Sequence, residues 1–252
     1  MHMKPTHGKK PSFRSVRTLV RYVDEDRSIV DATFAFDDLN LIRSQPVELS
    51  FHMVGPKGRQ FSYQTSFEVA SETGMVRFEL DQPHRWWPAG MGDQNLYELQ
   101  ISLLVGDEKL DAWNTTLGMT SVRASLSNDD RDLLVNGHRY NVHEILTIDR
   151  HDEHSVLPIG SDTLLLVRNH FGPTVLYEAA DRAGILLVQC VPLSHASEPD
   201  VNVAQQVDRL AAHPSLAGWM VDHNSRIADR MANRIQYLDP TRQVFRDLPM
   251  AS

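Results

Sequence analysis

The sequence predicts two domains of different class: an all-β sandwich, then an α/β domain built on parallel strands. Three observations predict it. From about Phe13 to Arg123, apolar and polar side chains alternate in short segments. Near Ser125 to Asp132 a polar stretch interrupts this text, and beyond it continuous apolar runs alternate with helical stretches. Alternation with a period of two marks strands whose one face meets a core, while unbroken apolar runs suit parallel strands covered on both faces.

The alternating segments are Phe34–Phe36, Val47–Val54, Phe61–Phe67, Val76–Leu80, Leu96–Leu103 and Asp111–Leu117. Turns at Gly55-Pro-Lys-Gly58, Ser71-Glu-Thr-Gly74 and Val105-Gly-Asp-Glu108 separate them. Six or seven such strands without an intervening helix make a β-sandwich. After the polar join, the buried strands are read at Leu164–Val167, Ile185–Val188 and Leu216–Val221, with helices at about 174–183, 201–212 and 226–238. Gly184 closes the first helix and Asp200 is its successor's expected N-cap. The expected boundaries are a disordered tail over 1–12, a sandwich over 13–124 and an α/β domain over 132–252. Asn136-Gly137 reads as a tight turn.

Composition bounds the partners. With 41% hydrophobic and 23% charged residues, the chain falls among ordinary globular proteins long enough to bury a sizeable core. A net charge of -8 argues against nucleic acid or a membrane surface as the main partner. The single cysteine, Cys190, excludes an internal disulfide and, inside an apolar run, is expected to be a buried and inert thiol. The first residues lack the apolar stretch of a secretory signal, so the chain as given reads as cytoplasmic.

The segment Arg209-Leu-Ala-Ala-His-Pro-Ser-Leu-Ala-Gly-Trp219-Met-Val-Asp-His-Asn224 resembles the stretch of glycoside hydrolase family 2 that carries the acid/base glutamate. Further landmarks follow in that family's order. His84-Arg-Trp-Trp-Pro88 with Gln94 to Leu99, Leu117-Gly-Met-Thr-Ser-Val-Arg123 and Leu134-Val-Asn-Gly137 are similar to its sandwich and barrel-opening motifs. Gly160 to Leu164, Tyr177-Glu-Ala-Ala-Asp-Arg-Ala-Gly184 and Leu238-Asp-Pro-Thr-Arg242 match later barrel landmarks. The resemblance implies an immunoglobulin-like β-sandwich followed by a truncated (β/α)8 TIM-type barrel, since a full barrel takes about 250 residues.

What departs from the family bears on chemistry. Five residues past the tryptophan, the family's strand ends in Asn-Glu; here the pair is His223-Asn224, followed by Ser225. A retaining glycosidase uses one carboxyl group to protonate the leaving oxygen and a second, about 5 Å away, as nucleophile. An amide cannot protonate a leaving group. The family's nucleophile would fall beyond Ser252, and its second-strand arginine reads as Leu165. No catalytic residue is therefore assigned, and no cofactor is expected.

Ligand binding is read separately. If the strands run as the resemblance implies, their C-terminal ends present His143 and Glu144, then Asn169 and His170, then Asp222, His223 and Asn224. These are the candidate ligand-binding residues; they could hydrogen-bond a sugar, hold a divalent metal, or be polar strand ends without a small ligand. His151-Asp-Glu-His154 adds a ligand pair without the spacing of a recognised zinc motif, and no metal is assigned. Trp86 and Trp87 read as packing at the domain junction, and His213-Pro-Ser215 as an architectural turn. A half barrel leaves an apolar face and an edge strand to cover. A homodimer is expected, with folding-over of the sandwich and the segment 243–250 as the alternative. Two functions stand: a non-catalytic carbohydrate-associated or protein-interaction module, or an active O-glycosyl hydrolase completed by a partner chain or by further sequence.

Overall fold

The computed structural model describes residues 10–38, 47–67, 72–124, 132–149, 162–192, 199–221 and 226–246. The expected tail lies mostly outside them. In chain order the first strands are β1 (Ser12–Val23), β2 (Arg27–Asp37), β3 (Val47–Val54), β4 (Gln60–Phe67), β5 (Thr73–Asp81), β6 (Tyr97–Val105) and β7 (Glu108–Leu117). They form two antiparallel sheets, ordered β1-β2-β5 and β4-β3-β6-β7. Val47, Leu49, Phe51 and Met53 of β3 and Tyr97, Leu99, Ile101 and Leu103 of β6 are buried, while His52 and Glu98 between them face out. Phe51 meets Phe34 of β2 and Phe78 of β5 at centroid distances of 6.0 and 5.5 Å, which joins the two layers. Each such ring, fully buried, contributes on the order of 1.5–3 kcal/mol.

The first two strands run well beyond the Phe34–Phe36 segment read from the sequence. In β1 the register shifts between Phe13 and Ser15 and again between Val20 and Tyr22. Each irregularity resets which face the next side chain takes, so the period-two signal is lost in a strand that is nonetheless long.

Next come β8 (Val122–Ala124), β9 (Leu133–Val135) and β10 (His138–Tyr140), paired antiparallel in the order β10-β9-β8. The expected boundary between 124 and 132 falls inside this sheet. Asn136 and Gly137 turn β9 into β10 with φ of 51° and 82°, the positive values a two-residue type I′ hairpin needs. The Asn136 carboxamide also accepts from the Ser121 N–H (2.9 Å) and donates to the Trp86 carbonyl (2.9 Å), so the turn is tied to the sandwich.

The remaining elements alternate: β11 (Glu144–Ile148), β12 (Thr163–Val167), α1 (Thr174–Ala183), β13 (Leu186–Cys190), α2 (Pro199–Leu210), β14 (Leu216–Met220), α3 (Arg226–Leu238) and β15 (Gln243–Phe245). The five strands are all parallel and lie in sequence order. Asp200, expected to cap α2 from outside, lies within its first turn, with Pro199 opening the helix as its fixed φ and missing N–H allow. Gly184 ends α1 in the left-handed region at φ 72°, donating its N–H to the Ala180 carbonyl. It also accepts from the Ala89 N–H at 2.8 Å, and a Cβ there would stand 2.5 Å from that nitrogen. Glycine is needed twice over.

Both faces of the parallel sheet are buried. Leu165, Val167, Leu187, Trp219 and Val221 pack with Tyr177, Val207, Leu210, Met231 and Ile235 of the helices. Leu164, Leu166, Leu186, Val188 and Ala217 pack on the other side with Trp86, Val122, Leu133, Val135 and Tyr140. The apolar face that a part-barrel would leave open is thus covered from within the chain, by β8, β9, β10 and Trp86. Edges remain: among the described strands β11 pairs only with β12, and β15 only with β14.

The tryptophans sit at the junction, as their sequence context predicts. Trp86 is fully buried and its indole N–H donates to the Asp181 carbonyl of α1 at 2.8 Å. Trp87 meets His138 of β10 edge-on at 5.3 Å, and Arg85 covers the Trp87 ring at 4.9 Å while pairing with Glu25. Behind Trp86, Asp181 is buried; one oxygen lies 2.6 Å from His213 Nδ1 and the other accepts the Ser215 N–H at 3.0 Å. His213-Pro214-Ser215 therefore locks α1 to the entry of β14. Pro214 closes the junction from its side: a Cβ on Gly118 would come within 2.4 Å of its ring. Arg17 of β1 adds a second tie, donating to Asp208 of α2 (2.6 Å) and to the Leu238 carbonyl (3.1 Å).

Candidate functional site

Parallel strands with crossover helices expose polar loops at their C-terminal ends, and ligands bind there because the strands below hold those loops rigidly. At that end β11 gives way to Asp149, β12 to Arg168, Asn169 and His170, and β14 to Val221. Asp222, His223 and Asn224, the last three candidates, lie outside the described residues, as does His151-Asp-Glu-His154.

His143 and Glu144 are placed at the wrong end by the sequence reading. Glu144 is the first residue of β11, level with Thr163 at the start of β12. Both His143 and Glu144 donate their backbone N–H groups to the Asp162 carbonyl (3.0 and 3.3 Å). The five-residue strand separates them from Asn169 by roughly 16 Å at about 3.3 Å per residue. The cause is local: His138–Tyr140 is used up in the hairpin with β9, so the first parallel strand begins later than the motif spacing suggests. Asp149, not Glu144, is the carboxylate at the C-terminal end of β11.

Asn169 and His170 are brought together, and with Asp149. Asn169 is exposed, holds φ of 64°, and donates from Nδ2 to Asp149 Oδ1 at 2.9 Å. An asparagine tolerates the left-handed region better than most residues, which suits it to this turn. His170 is buried, with Nδ1 2.6 Å from the Arg168 carbonyl; a carbonyl only accepts, so the proton sits on Nδ1. Arg168 is half-buried and its N–H donates to the Ile148 carbonyl at 3.1 Å. Leu165 takes the place read for the family's second-strand arginine. Leu165 lies mid-strand, opposite Leu146 and Leu187, and faces the helices. The strand-end cation of β12 is Arg168.

What shapes this loop is Gln189, which sequence reasoning passed over. It is fully buried in β13. Its Nε2 donates to the carbonyls of His170 (2.8 Å) and Cys190 (2.6 Å), and its Oε1 accepts from the Gly172 N–H (3.1 Å) and the Tyr177 hydroxyl (2.7 Å). Burial pushes the Tyr177 phenol well above its ordinary pKa, so it remains a donor. Arg209 of α2 finishes the loop, donating to the Gly172 carbonyl (2.7 Å) and Thr174 Oγ1 (3.2 Å). A lone glutamine in Leu186-Leu-Val-Gln-Cys190 was the available signal, because a buried amide requires partners. Gln189→Leu removes these bonds and leaves a buried N–H, a hydroxyl and carbonyls unsatisfied, at a cost of about 2–3 kcal/mol. A lowered urea midpoint with faster amide exchange at residues 169–172 is the expected result; unchanged exchange there would show the loop to be held otherwise.

Cys190 is buried and free of disulfide. Among the described residues no group of three or more His, Cys, Asp or Glu side chains is arranged to hold a metal ion. No described helix is long and apolar enough to cross a membrane.

Residues 17–119, the sandwich, match the model of glycosyl hydrolases family 2. The chain is a glycoside hydrolase family 2-like protein. It is 28% identical over 200 residues to an exo-β-D-glucosaminidase of Streptomyces avermitilis, covering 64% of this chain and 22% of that relative. To the exo-β-D-glucosaminidase of Amycolatopsis orientalis it is 32% identical over 138 residues, 49% of this chain and 13% of the relative. To β-mannosidase A of Neosartorya fischeri it is 25% identical over 209 residues, 68% and 22% respectively. The family 2-like chain thus spans less than a quarter of these relatives' own length. In fold it is similar to a β-D-mannosidase from Dictyoglomus thermophilum, with a TM-score of 0.74 at 18% identity over 94% of this chain and 34% of that one. A β-glycosidase from Bacteroides vulgatus matches with a TM-score of 0.76 at 14% identity, over 93% and 33%.

Proposed function

We propose that this chain is a catalytically degenerate, carbohydrate-associated member of the family 2 frame, whose strand ends hold a sugar by hydrogen bonds and do not cleave it. One observation carries the reading: where the resemblance puts the acid/base glutamate, just past β14, the sequence has Asn224. General acid catalysis contributes about 10²–10⁴-fold to such a reaction, and a carboxamide supplies none of it. Asn169, Asp149 and Arg168 offer the donors and acceptors that a polyhydroxylated ligand matches, with His143 and Glu144 on the far end of the sheet and outside this role.

The sequential order of β11 to β15 supports reading the C-terminal part, 132–252, as the first five strands of an incomplete (β/α)8 barrel, next to an immunoglobulin-like domain over 13–124. On this reading the edges at β11 and β15 are where a second copy would associate, since an edge strand offers a row of unpaired backbone groups. Light scattering at micromolar concentration should then give twice the 28.6 kDa chain mass. A mass of one chain would remove the dimer.

The test of the main reading is a panel of aryl β-glycosides with the purified chain: no turnover above buffer is expected, alongside measurable binding of an oligosaccharide. A second reading, an O-glycosyl hydrolase completed by a partner chain or by further sequence, is favoured by the small share of its relatives that the chain spans. It would prevail if a 2-deoxy-2-fluoroglycoside left a covalent adduct on this polypeptide, or if turnover appeared and vanished with Asp222→Asn.

A further inference from the structure

The sandwich is open along one side. Among the described strands β4 pairs only with β3, and β5 only with β2, so these two edges flank a seam between the sheets. Register puts Phe61 and Tyr63 of β4 opposite Met53 and Phe51 of β3, on the same inner face. Their exposure differs. Phe51 and Met53 are 3% and 2% exposed, but Tyr63 is 44% exposed and Phe61 is only half-buried. An inner-face ring that meets solvent marks an entrance, and behind it lies a cavity of about 400 Å³, within the roughly 300–1,000 Å³ usual for small-molecule sites.

The walls are apolar on both sides. Phe51, Met53 and Leu99 come from one sheet and Phe78 and Leu80 from the other, while Phe61 and Tyr63 stand at the mouth. The tilted rings of Tyr63 and Phe78 lie 5.9 and 5.5 Å from that of Phe51. Ser62, Arg77 and Glu79 also border the cavity, but strand alternation turns their side chains to the outer faces. There Ser62 meets His52 at 3.3 Å, and Arg77 donates from Nε and Nη2 to the two oxygens of Asp31 at 2.7 and 2.9 Å. Arg59 closes one end of the seam, with its guanidinium 4.7 Å over the Phe61 ring and donating to the Gln82 carbonyl at 3.0 Å.

Close-packed interiors hold few voids larger than a water molecule, so a space of this size requires an occupant. A buried water takes two to four polar partners, and the inward side chains supply one, the Tyr63 hydroxyl. Apolar cavities accept apolar guests: one of about 150 Å³ takes benzene, so this one has room for about two fused rings. Three phenylalanines, a tyrosine and a methionine thioether favour an aromatic guest through edge-to-face and sulfur contacts. The free edges of β4 and β5 place backbone N–H and C=O groups at the mouth, beside the Tyr63 hydroxyl, where a single polar substituent would find partners.

We infer that this seam binds an uncharged aromatic molecule of about two fused rings, its ring system inward and one hydroxyl or carbonyl substituent at the mouth. The site is independent of the sugar reading, because the many hydroxyls of a carbohydrate would meet one side-chain partner there.

Methyl-detected NMR of the whole chain titrated with 2-naphthol tests it. Ring currents should shift the Met53, Leu80 and Leu99 methyl signals in a saturable manner, and mannotriose at equal concentration should leave them in place. Tyr63→Ala should weaken the fitted affinity about three- to tenfold, the worth of one aromatic contact. Tyr237→Ala, on the exposed side of α3, should leave it unchanged. The methyl shifts of the unaltered chain decide the matter if Tyr63→Ala does not fold. The site is overturned if millimolar 2-naphthol leaves the three methyl signals unmoved, if mannotriose shifts them as strongly, or if the two tyrosine variants lower the affinity equally.

Discussion

Trp86→Ala is expected to lower the stability of the protein by about 3–5 kcal/mol, the range for deleting a large aromatic side chain from a core. The indole is fully buried in the cluster that joins β8, β9 and β10 to the inner face of the parallel sheet. Its N–H is satisfied only through Asp181, and Gly118 and Pro214 close around it so tightly that a methyl group on Gly118 would collide. The surroundings cannot collapse into the space. For a chain of this size each kcal/mol moves the melting temperature roughly 2–4 °C, so a fall of roughly 10 °C is expected by calorimetry. Since Trp86 belongs to the sandwich segment and its contacts to the α/β part, the single transition should also broaden or split. Trp86→Phe, which keeps most of the volume but loses the donor, should cost only about 1–2 kcal/mol. A shift below 1 °C for Trp86→Ala would mean that the two parts are held together elsewhere.

Asp181→Ala should be nearly as severe, again about 3–5 kcal/mol, because removing one member of a buried ionisable pair strands the other. His213 and the Ser215 N–H both lose their acceptor, in a region with no solvent to replace it. Asp181→Asn retains an oxygen for Ser215 and should lose about half as much. Chemical unfolding curves for the two variants check this. Equal and small losses would show that the helix α1 to β14 contact is held by apolar packing alone.

The regular elements were legible because their causes are local. The alternation in β3 and β6 is a one-sided core written along the strand, and the runs of β12, β13 and β14 record burial on both faces. The limits of α1 and α3 fall where the sequence puts them, the former through a glycine at φ 72°. Bulges hid β1, since two register shifts erase a period-two pattern even while every other strand property is kept.

The candidate site was legible only in part. Asn169 and His170 lie just past the C-terminal end of β12, whereas His143 and Glu144 lie at the opposite end of the sheet because the β9 and β10 hairpin takes up the preceding residues. Arg168 and Asp149 had no motif to announce them, and Gln189 passed for part of an apolar run.

From residue order alone came the family frame, the alternation of sandwich and βα text, and the amide at position 224; all of these are properties of side-chain type and spacing. Which end of a strand a residue occupies, what covers the inner face of the parallel sheet, and the buried ties from Trp86 to Asp181 and from Gln189 to the 168–172 loop were settled by packing. Such contacts join residues that lie from 17 to 95 positions apart in the chain, and a spacing rule cannot see across that distance because burial and hydrogen-bond satisfaction are decided only when the layers meet.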